Sequence, residues 1–198
     1  MNIRQRLSPE DMRERIVTVA EEHFRRIGYF KTAVADIAAA LGMSPANVYR
    51  FFPSKSAIND AICARLMTNI DAIMIALLAE PLPPEEKLRA FFMRLHRNNK
   101  ATLTDAHRIH DMVEVAMAEN WPAIEAHCAT MENFLATIIS EGIEKGVFRA
   151  VDVVSFSQTA FDAAAKVVHP TLIAHCADED QEEQTRRLSD LILAALRP

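Results

Sequence analysis

Residues 32–55 constrain the fold most, because they are typical of two short helices that meet at Gly42. We predict that Thr32 caps the first helix, since a hydroxyl at that position accepts hydrogen bonds from free backbone N–H groups. Ser44 can cap the second helix, and Pro45 suits its first position, where no backbone N–H is needed. Gly42 permits the turn, because glycine adopts a positive φ at little cost. The pattern indicates a helix-turn-helix, whose second helix enters the major groove of DNA.

The second helix of this pair has few side chains that can read bases. Val48 and Phe52 lie four residues apart, so we expect them to anchor its buried face. The residues left to project outwards are Pro45, Ala46, Asn47 and Arg50. Arg50 can reach a guanine edge or a phosphate, and these two roles remain open; Asn47 can bond a base. Pro45 and Ala46 offer only apolar contact, so the shape of the DNA is expected to contribute to recognition.

The same region resembles the DNA-binding domain of the TetR/AcrR family of transcriptional regulators. The matching residues are Phe24, Gly28, Val34, Asp36, Ile37, Ala38, Gly42, Ser44, Val48, Tyr49, Phe52, Ser54 and Lys55. The resemblance implies that the Tyr49 hydroxyl bonds a DNA phosphate. The alternative is that the Tyr49 ring packs in the core of the DNA-binding domain. Lys55 is expected beside another phosphate, and Thr32 is included among the DNA-contacting candidates. Ala33 and Ala35 stand where the family often has threonine and a polar residue.

The distribution of charge agrees with DNA binding at the N-terminal end. The whole chain carries a formal net charge of -5. Residues 1–55 contain nine basic and six acidic side chains, whereas residues 56–198 contain thirteen and twenty-one. The basic end is therefore the end with the motif, although ordinary scatter of charge could give the same difference.

Cysteine content and hydropathy lead us to expect a cytoplasmic protein with no membrane segment. The chain has three cysteines, an odd number without paired spacing, which favours reduced thiols. The first ten residues lack the apolar core of a signal peptide. No run approaches the roughly 18 consecutive apolar residues that we require of a membrane helix.

The rest of the chain is predicted to be helical, which gives an all-α fold of about nine helices. A first helix is expected to begin at Ser8 and end at Gly28, and the helix after the motif to run from residue 54 or 55 to about residue 79. Further periodic stretches cover residues 85–101, 104–118, 122–145, 152–176 and 180–197. We predict a DNA-binding domain at residues 1–53 and a helical effector-binding and dimerisation domain at residues 54–198.

A homodimer is expected, because one recognition helix reads only a few base pairs. Two DNA-binding domains on a palindromic site give useful specificity. The resemblance implies that the last two helices form a four-helix bundle with those of the twin subunit. The predicted interface residues are Phe156, Ala160, Ala163, Val167, Leu188, Leu191, Ile192 and Ala195. The alternative is that both stripes only complete the core of one subunit.

The sequence says less about an effector. Met117, Trp121, Phe134 and Phe161 are the favoured pocket residues because of their size and central position, although a residue of this kind is more often simple core. His107, His110 and Glu114 share one helix face and His169, His175 and Cys176 cluster later, so a metal site is one interpretation. Without a recognised metal-binding spacing, a solvated face is the simpler interpretation, and no metal or other cofactor is predicted.

We therefore expect a homodimeric repressor that binds palindromic operator DNA and is released by a small-molecule effector. A metal-sensing regulator of the same fold is the first alternative. The second is an enzyme or small-molecule-binding protein with a vestigial head. No Gly-rich phosphate loop, nucleophile elbow or pair of catalytic carboxylates supports an enzyme.

Overall fold

The computed structural model describes residues 8–102, 106–119 and 121–198. For residues 106–110 and 121 the description covers the backbone but not the side chains. The described residues form eleven helices and no strand, as the predicted all-α class requires. In chain order the helices are α1 (Pro9–Ile27), α2 (Val34–Ala40), α3 (Pro45–Tyr49), α4 (Lys55–Ala79), α5 (Pro84–Thr102), α6 (Ala106–Glu119), α7 (Trp121–Glu144), α8 (Val153–Ala163), α9 (Ala165–Val168), α10 (Pro170–His175) and α11 (Gln181–Leu196).

The helix count exceeds the predicted nine because residues 152–176 do not form one helix. They form α8, α9 and α10 instead. His169 is extended, with φ -75° and ψ 124°, because the ring of Pro170 disfavours a helical conformation at the residue before it. The carbonyl groups freed at this break accept hydrogen bonds from side chains of α5. Nδ1 of His96 lies 2.8 Å from the carbonyl oxygen of Val167, and the Asn99 amide donates to that of Val168 at 2.6 Å.

The helices group into two compact units. The first contains α1, α2, α3, the beginning of α4 as far as Leu66, and α6. The second contains α4 from Met67 onwards, α5, and α7 to α11. The first unit therefore includes two elements, α6 and the start of α4, that lie beyond the predicted boundary at residue 53.

The first unit has its own apolar core. Phe24 and Ile16 of α1 are fully buried against Ile37 of α2 and Val48 of α3. Ile58 from α4 belongs to the same core. Burying each such side chain contributes about 1.5–3 kcal/mol, so this core fixes the positions of the short helices α2 and α3.

The core of the second unit is larger and is built around α5 and α7. Its fully buried side chains include Phe91 and Phe92 of α5, whose rings meet edge to face at 5.1 Å, and Met131 of α7. Leu196 closes one end, where its carbonyl oxygen accepts a hydrogen bond from the backbone N–H of Arg149 at 2.9 Å. The C-terminal helix is thereby fixed to the loop that precedes α8.

Helix α4 is more apolar than we predicted when we expected no stretch that approaches a membrane helix. Its most apolar 18-residue stretch has a mean hydropathy of 1.7, so its length and composition alone would let it cross a membrane. Core helices of folded proteins pass the same criterion, and α4 supplies Ile62 to the first core and Met74 and Leu77 to the second. Its apolar residues are thus partly explained by packing within the protein.

Candidate nucleic-acid interface

The start of α2 differs from the prediction at Thr32. Ala33, in an extended conformation, is the N-cap residue, and it has no side-chain oxygen with which to cap. The Asp36 carboxylate instead accepts a hydrogen bond from the backbone N–H of Ala33 at 2.8 Å. The negative charge of Asp36 also suits the N-terminus of the helix.

Thr32 is also not placed for a side-chain contact with DNA, so this part of the prediction is corrected. Its exposed fraction is 1%, and its hydroxyl donates a hydrogen bond to the carbonyl oxygen of Gly28 at 2.8 Å. Gly28 has φ +97° and ends α1, so the threonine hydroxyl satisfies a carbonyl at a sharp change of direction. The physical reason is local, because the Thr32 hydroxyl donates its hydrogen bond to a carbonyl group of its own loop.

The turn and the start of α3 follow the prediction. Gly42 has φ +68°, a left-handed conformation that glycine adopts readily. The hydroxyl of Ser44 accepts from the backbone N–H of Asn47 at 3.3 Å, and Pro45 occupies the first helical turn. The capping roles assigned from sequence to Ser44 and Pro45 are confirmed.

Helix α3 presents one buried and one exposed face. Val48 is fully buried, and Phe52, just after the helix, is 2% exposed. The exposed residues are Pro45, Ala46, Asn47, Tyr49 and Arg50. Half of the Tyr49 side chain is accessible, which is unlike a ring that fills the core of the head. These five residues share one short segment, which we call the α3 face.

Lys55, at the start of α4, is half-buried and directs its ammonium group towards the loop between α1 and α2. Its Nζ donates to the carbonyl oxygens of Tyr29 at 2.9 Å and Thr32 at 3.2 Å. The ammonium group also lies 4.1 Å from the centre of the Tyr29 ring, a cation–π arrangement. Burial lowers the pKa of Lys55. The ammonium thus holds the α1–α2 loop against α4, and the phosphate contact of Lys55 stays a prediction.

Arg13 has a similar structural role that the sequence did not reveal. Its guanidinium donates to the carbonyl oxygen of Phe51 and lies 4.3 Å from the centre of the Phe52 ring. The contact joins α1 to the segment after α3, and its sequence separation of 38 residues explains why no local pattern predicts it.

Helix α6 packs in the same unit as the α3 face, whereas the predicted boundary puts it in the effector domain. Met112 is 2% exposed and belongs to the core of the first unit. Its carbonyl oxygen accepts a hydrogen bond from the buried Asn59 amide of α4 at 3.0 Å. Ser56 of α4 also donates to the Glu119 carboxylate. Helices α4 and α6 are thus joined at two places within this unit.

The described residues among the predicted pocket set are divided between the two units. Met117 is half-buried on α6, in the first unit. Phe134 and Phe161 are half-buried and pack against the core of the second unit. The side chain of Trp121 lies outside the described part. The four residues therefore do not define one site within a single unit.

The predicted dimer stripes are partly used inside one subunit. Ala160, Val167 and Ile192 are at most 5% exposed and belong to the core, so assigning them to the interface surface is corrected. Phe156 and Leu188 are half-buried against the same core. The exposed residues of the predicted set are Ala163, Leu191 and Ala195, and Leu191 is 68% exposed.

The metal candidates are only partly covered by the structure. The described residues contain no group of three or more His, Cys, Asp or Glu side chains arranged to hold a metal ion. Glu114 is exposed on α6, and the side chains of His107 and His110 lie outside the described part.

Comparison with known proteins identifies both parts of the chain. Residues 16–62 match the family described as bacterial regulatory proteins, tetR family, and residues 84–189 match the tetracyclin repressor-like C-terminal domain. A comparison with curated protein sequences gives no match.

Solved structures of transcriptional regulators resemble most of the chain. PfmR, a TetR family regulator from Thermus thermophilus, is 28% identical, with 91% of this chain and 97% of that one covered and a TM-score of 0.64. A putative regulator from Saccharomonospora viridis, solved in complex with choline, is 22% identical, with 96% and 99% covered and a TM-score of 0.73. FadR from Bacillus subtilis, in complex with stearoyl-CoA, is 20% identical, with 93% and 99% covered and a TM-score of 0.69. The chain belongs to the TetR family of transcriptional regulators.

Proposed function

We propose that this protein is a cytoplasmic, homodimeric repressor that binds a palindromic operator and is released by a small-molecule effector. The observation that carries the proposal is the α3 face, where an amide, a phenol and a guanidinium project from a segment anchored by Val48 and Phe52. These side chains have the chemistry that base edges and phosphates require. The regulator needs no catalytic activity for this role.

The proposed contacts follow from the side chains of the α3 face. Arg50 donates to a guanine edge or a phosphate, and Asn47 pairs with an adenine edge. Tyr49 donates its hydroxyl to a phosphate and sets the register of the head on DNA. Pro45 and Ala46 contact thymine methyl groups. Since few side chains read bases directly, sequence-dependent DNA shape contributes to the choice of operator.

Dimerisation is proposed through the exposed parts of the last helices. Leu191, Ala163 and Ala195 remain accessible from the predicted stripes, and Val154 of α8 is 65% exposed. Large exposed aliphatic side chains of this kind are typical of association surfaces when they form a contiguous patch.

The effector response is proposed to act through α4 and α6. Helix α4 contributes residues to the cores of both units, and α6 is joined to α4 by the Asn59 and Ser56 contacts. The choline and stearoyl-CoA complexes of two similar structures support a small-molecule effector. A ligand that favours a different position of α4 would select a dimer whose heads misfit the operator.

The central test is DNA binding by the purified protein, measured by fluorescence anisotropy with palindromic fragments from its own genomic neighbourhood. We expect Arg50→Ala to weaken operator binding by about 10- to 100-fold, because a bidentate contact contributes about 1–3 kcal/mol. Arg89→Ala, which removes a half-exposed arginine of α5 in the second unit, is the matched control and should bind normally. The proposal fails if the protein binds no fragment at low salt. It also fails if both variants bind like the unaltered protein.

A further inference from the structure

The two ends of the α3 face are held in different ways. Helix α3 has five residues, and so short a helix depends on packing against the rest of the protein. Its N-terminal end is fixed by the Ser44 cap and by Val48, which is fully buried. Arg50 follows the helix and lies beyond both of these anchors. The direction of the Arg50 side chain therefore depends on how the next two residues, Phe51 and Phe52, are held.

Arg13 of α1 contacts both of those phenylalanines. Its guanidinium donates a hydrogen bond to the carbonyl oxygen of Phe51 and lies 4.3 Å from the centre of the Phe52 ring. Guanidinium groups combine these two contacts well, because they are planar, carry several donors and stack on aromatic faces. Phe52 is 2% exposed, so its ring is a fixed surface for this contact. The backbone directly after Arg50 is thus held at one place relative to α1.

Helix α1 provides a rigid support for this contact. Ile16 and Val17 follow Arg13 at spacings of three and four residues, so they lie on the same side of the helix, and both are at most 4% exposed. The helix begins with a capping box, in which the side chains of Ser8 and Asp11 each accept from the backbone N–H of the other residue. Arg13 therefore projects from a helix whose start is capped and whose adjacent side is packed in the core of the first unit.

The charge of Arg13 is not used in an ion pair with any described residue. Arg25 and Arg65 of the same unit both pair with Glu21, and Arg65 also pairs with Glu14. Arg13 bonds a neutral carbonyl group instead. An arginine of this kind can act on DNA binding in two ways, either by holding the segment after α3 or by a contact of its own with a phosphate. The geometry of its two described contacts favours the first.

We propose that Arg13 is a positioning residue for Arg50 and thereby determines how well the protein distinguishes its operator from other DNA. The guanidinium holds the Phe51 carbonyl, and the Arg50 side chain consequently leaves the backbone in one direction. A bidentate arginine contact requires two nitrogen atoms to meet one base edge, so it is sensitive to that direction. This inference rests on the proposed DNA-binding function and on the role given there to Arg50.

The coupling between Arg13 and Arg50 tests the proposal, measured by fluorescence anisotropy of the full chain with the palindromic fragment that it binds. Arg13→Met removes the guanidinium and keeps an apolar side chain. We expect it to weaken binding by about threefold to tenfold, which is part of the loss expected for Arg50→Ala. In the Arg50→Ala background the same change should cost less than about twofold, because the side chain that it positions is absent. Arg15→Met, at an exposed site of the same helix, is the matched control and should bind like the unaltered protein.

Asn47 provides a second background that separates positioning of Arg50 from other roles. It belongs to the part of α3 that Ser44 and Val48 hold, so Arg13→Met should keep its full effect in the Asn47→Ala background. A phosphate contact of Arg13 would lower affinity equally in every background. Equal losses in the Asn47→Ala and Arg50→Ala backgrounds would therefore overturn the proposal. Unchanged operator binding by Arg13→Met would overturn it as well.

Arg13→Gln repeats the test if Arg13→Met does not fold. Its amide is shorter than the guanidinium and carries no charge, yet it leaves a polar side chain and a good helix former at this exposed position. Circular dichroism and urea denaturation establish that the variant is folded. The same coupling to Arg50 is expected, and unchanged operator binding by the folded variant would contradict the proposal.

Hydrogen exchange mass spectrometry of the free protein gives a readout without DNA. Arg13→Met should speed amide exchange over residues 49–52 and leave residues 16–27 unchanged, because only the first segment loses a contact. Unchanged exchange over residues 49–52 would overturn the inference. Operator binding that depends on Arg50 but not on Arg13 would overturn this inference alone. Absence of DNA binding by the unaltered protein would overturn the proposed repressor function and this inference with it.

Discussion

Two side chains at the edges of the motif that were predicted to contact DNA, Thr32 and Lys55, are both directed inwards. Each donates hydrogen bonds to carbonyl oxygens of the loop between α1 and α2. That loop leaves backbone acceptors without helical partners, and such groups are costly if they stay unpaired. The loop residues and the start of α4 thus stabilise one another, and the α3 face carries the proposed DNA contacts.

Replacing Lys55 tests this assignment at the scale of one residue. Lys55→Met keeps the apolar stem but removes the charged hydrogen bonds to Tyr29 and Thr32. We expect the free energy of unfolding to fall by about 1–2 kcal/mol, the usual contribution of a hydrogen bond to a charged group with allowance for partial exposure. Urea denaturation measures the change. Lys31→Met, at an exposed site of the same loop, is the control and should unfold like the unaltered protein. Unchanged stability of Lys55→Met together with weaker operator binding would instead support a phosphate contact.

At the scale of one helix, α7 shows how closely the elements of the second unit pack. Gly142 is buried within α7, and a Cβ atom built there would lie 2.0 Å from the ring of Phe148. The backbone N–H groups of Val147 and Phe148 donate to the Gly142 carbonyl oxygen at 3.0 and 3.1 Å. The glycine therefore lets the chain fold back and place Phe148 directly over the helix.

We expect Gly142→Ala to lower the free energy of unfolding by about 1–3 kcal/mol, because overpacking outweighs the gain in helix propensity. Thermal and urea unfolding measure the effect. Adding Phe148→Leu to the variant removes the ring and should restore part of the loss relative to Phe148→Leu alone. A Gly142→Ala protein that is more stable than the unaltered chain would contradict the close contact.

The break between α9 and α10 illustrates what local sequence reveals about an element. Periodicity over residues 152–176 favours one helix, and it does not register the effect of Pro170. The side chains that satisfy the free carbonyls, His96 and Asn99, lie about 70 residues earlier in the chain, and no local pattern relates them to the break. The long helices, in contrast, could be predicted because their apolar periodicity continues over many turns.

At the scale of the whole molecule, the proposed dimer makes a distinct prediction. Leu191→Glu places a charge on the most exposed leucine of α11, and we expect it to shift the protein from dimer to monomer. Sedimentation velocity measures the change. Ile75→Glu on α4, at a side chain that is 59% exposed, is the control and should leave the dimer intact. A monomeric unaltered protein, or dissociation by Ile75→Glu alone, would place association elsewhere or exclude it.

The sequence by itself determined the all-α class, the helix-turn-helix and the caps of α3. These features depend on periodicity and on residues that act within a few positions, such as Ser44 and Gly42. The family resemblance rested on the same segment together with Phe24 and Gly28 before it. The sequence also predicted that Asn47 and Arg50 are exposed. This followed from the expected burial of Val48, which is fully buried and determines which face of α3 is exposed.

Only the tertiary structure decided the inward roles of Thr32 and Lys55 and the packing of α6 in the first unit. Except for the hydrogen bond of Thr32, these relations join residues far apart in the chain. Their energy comes from satisfying buried polar groups after the helices have packed, which no local pattern encodes. The sequence thus determined the helices and the α3 face, and packing decided which polar side chains remain free for a ligand or DNA.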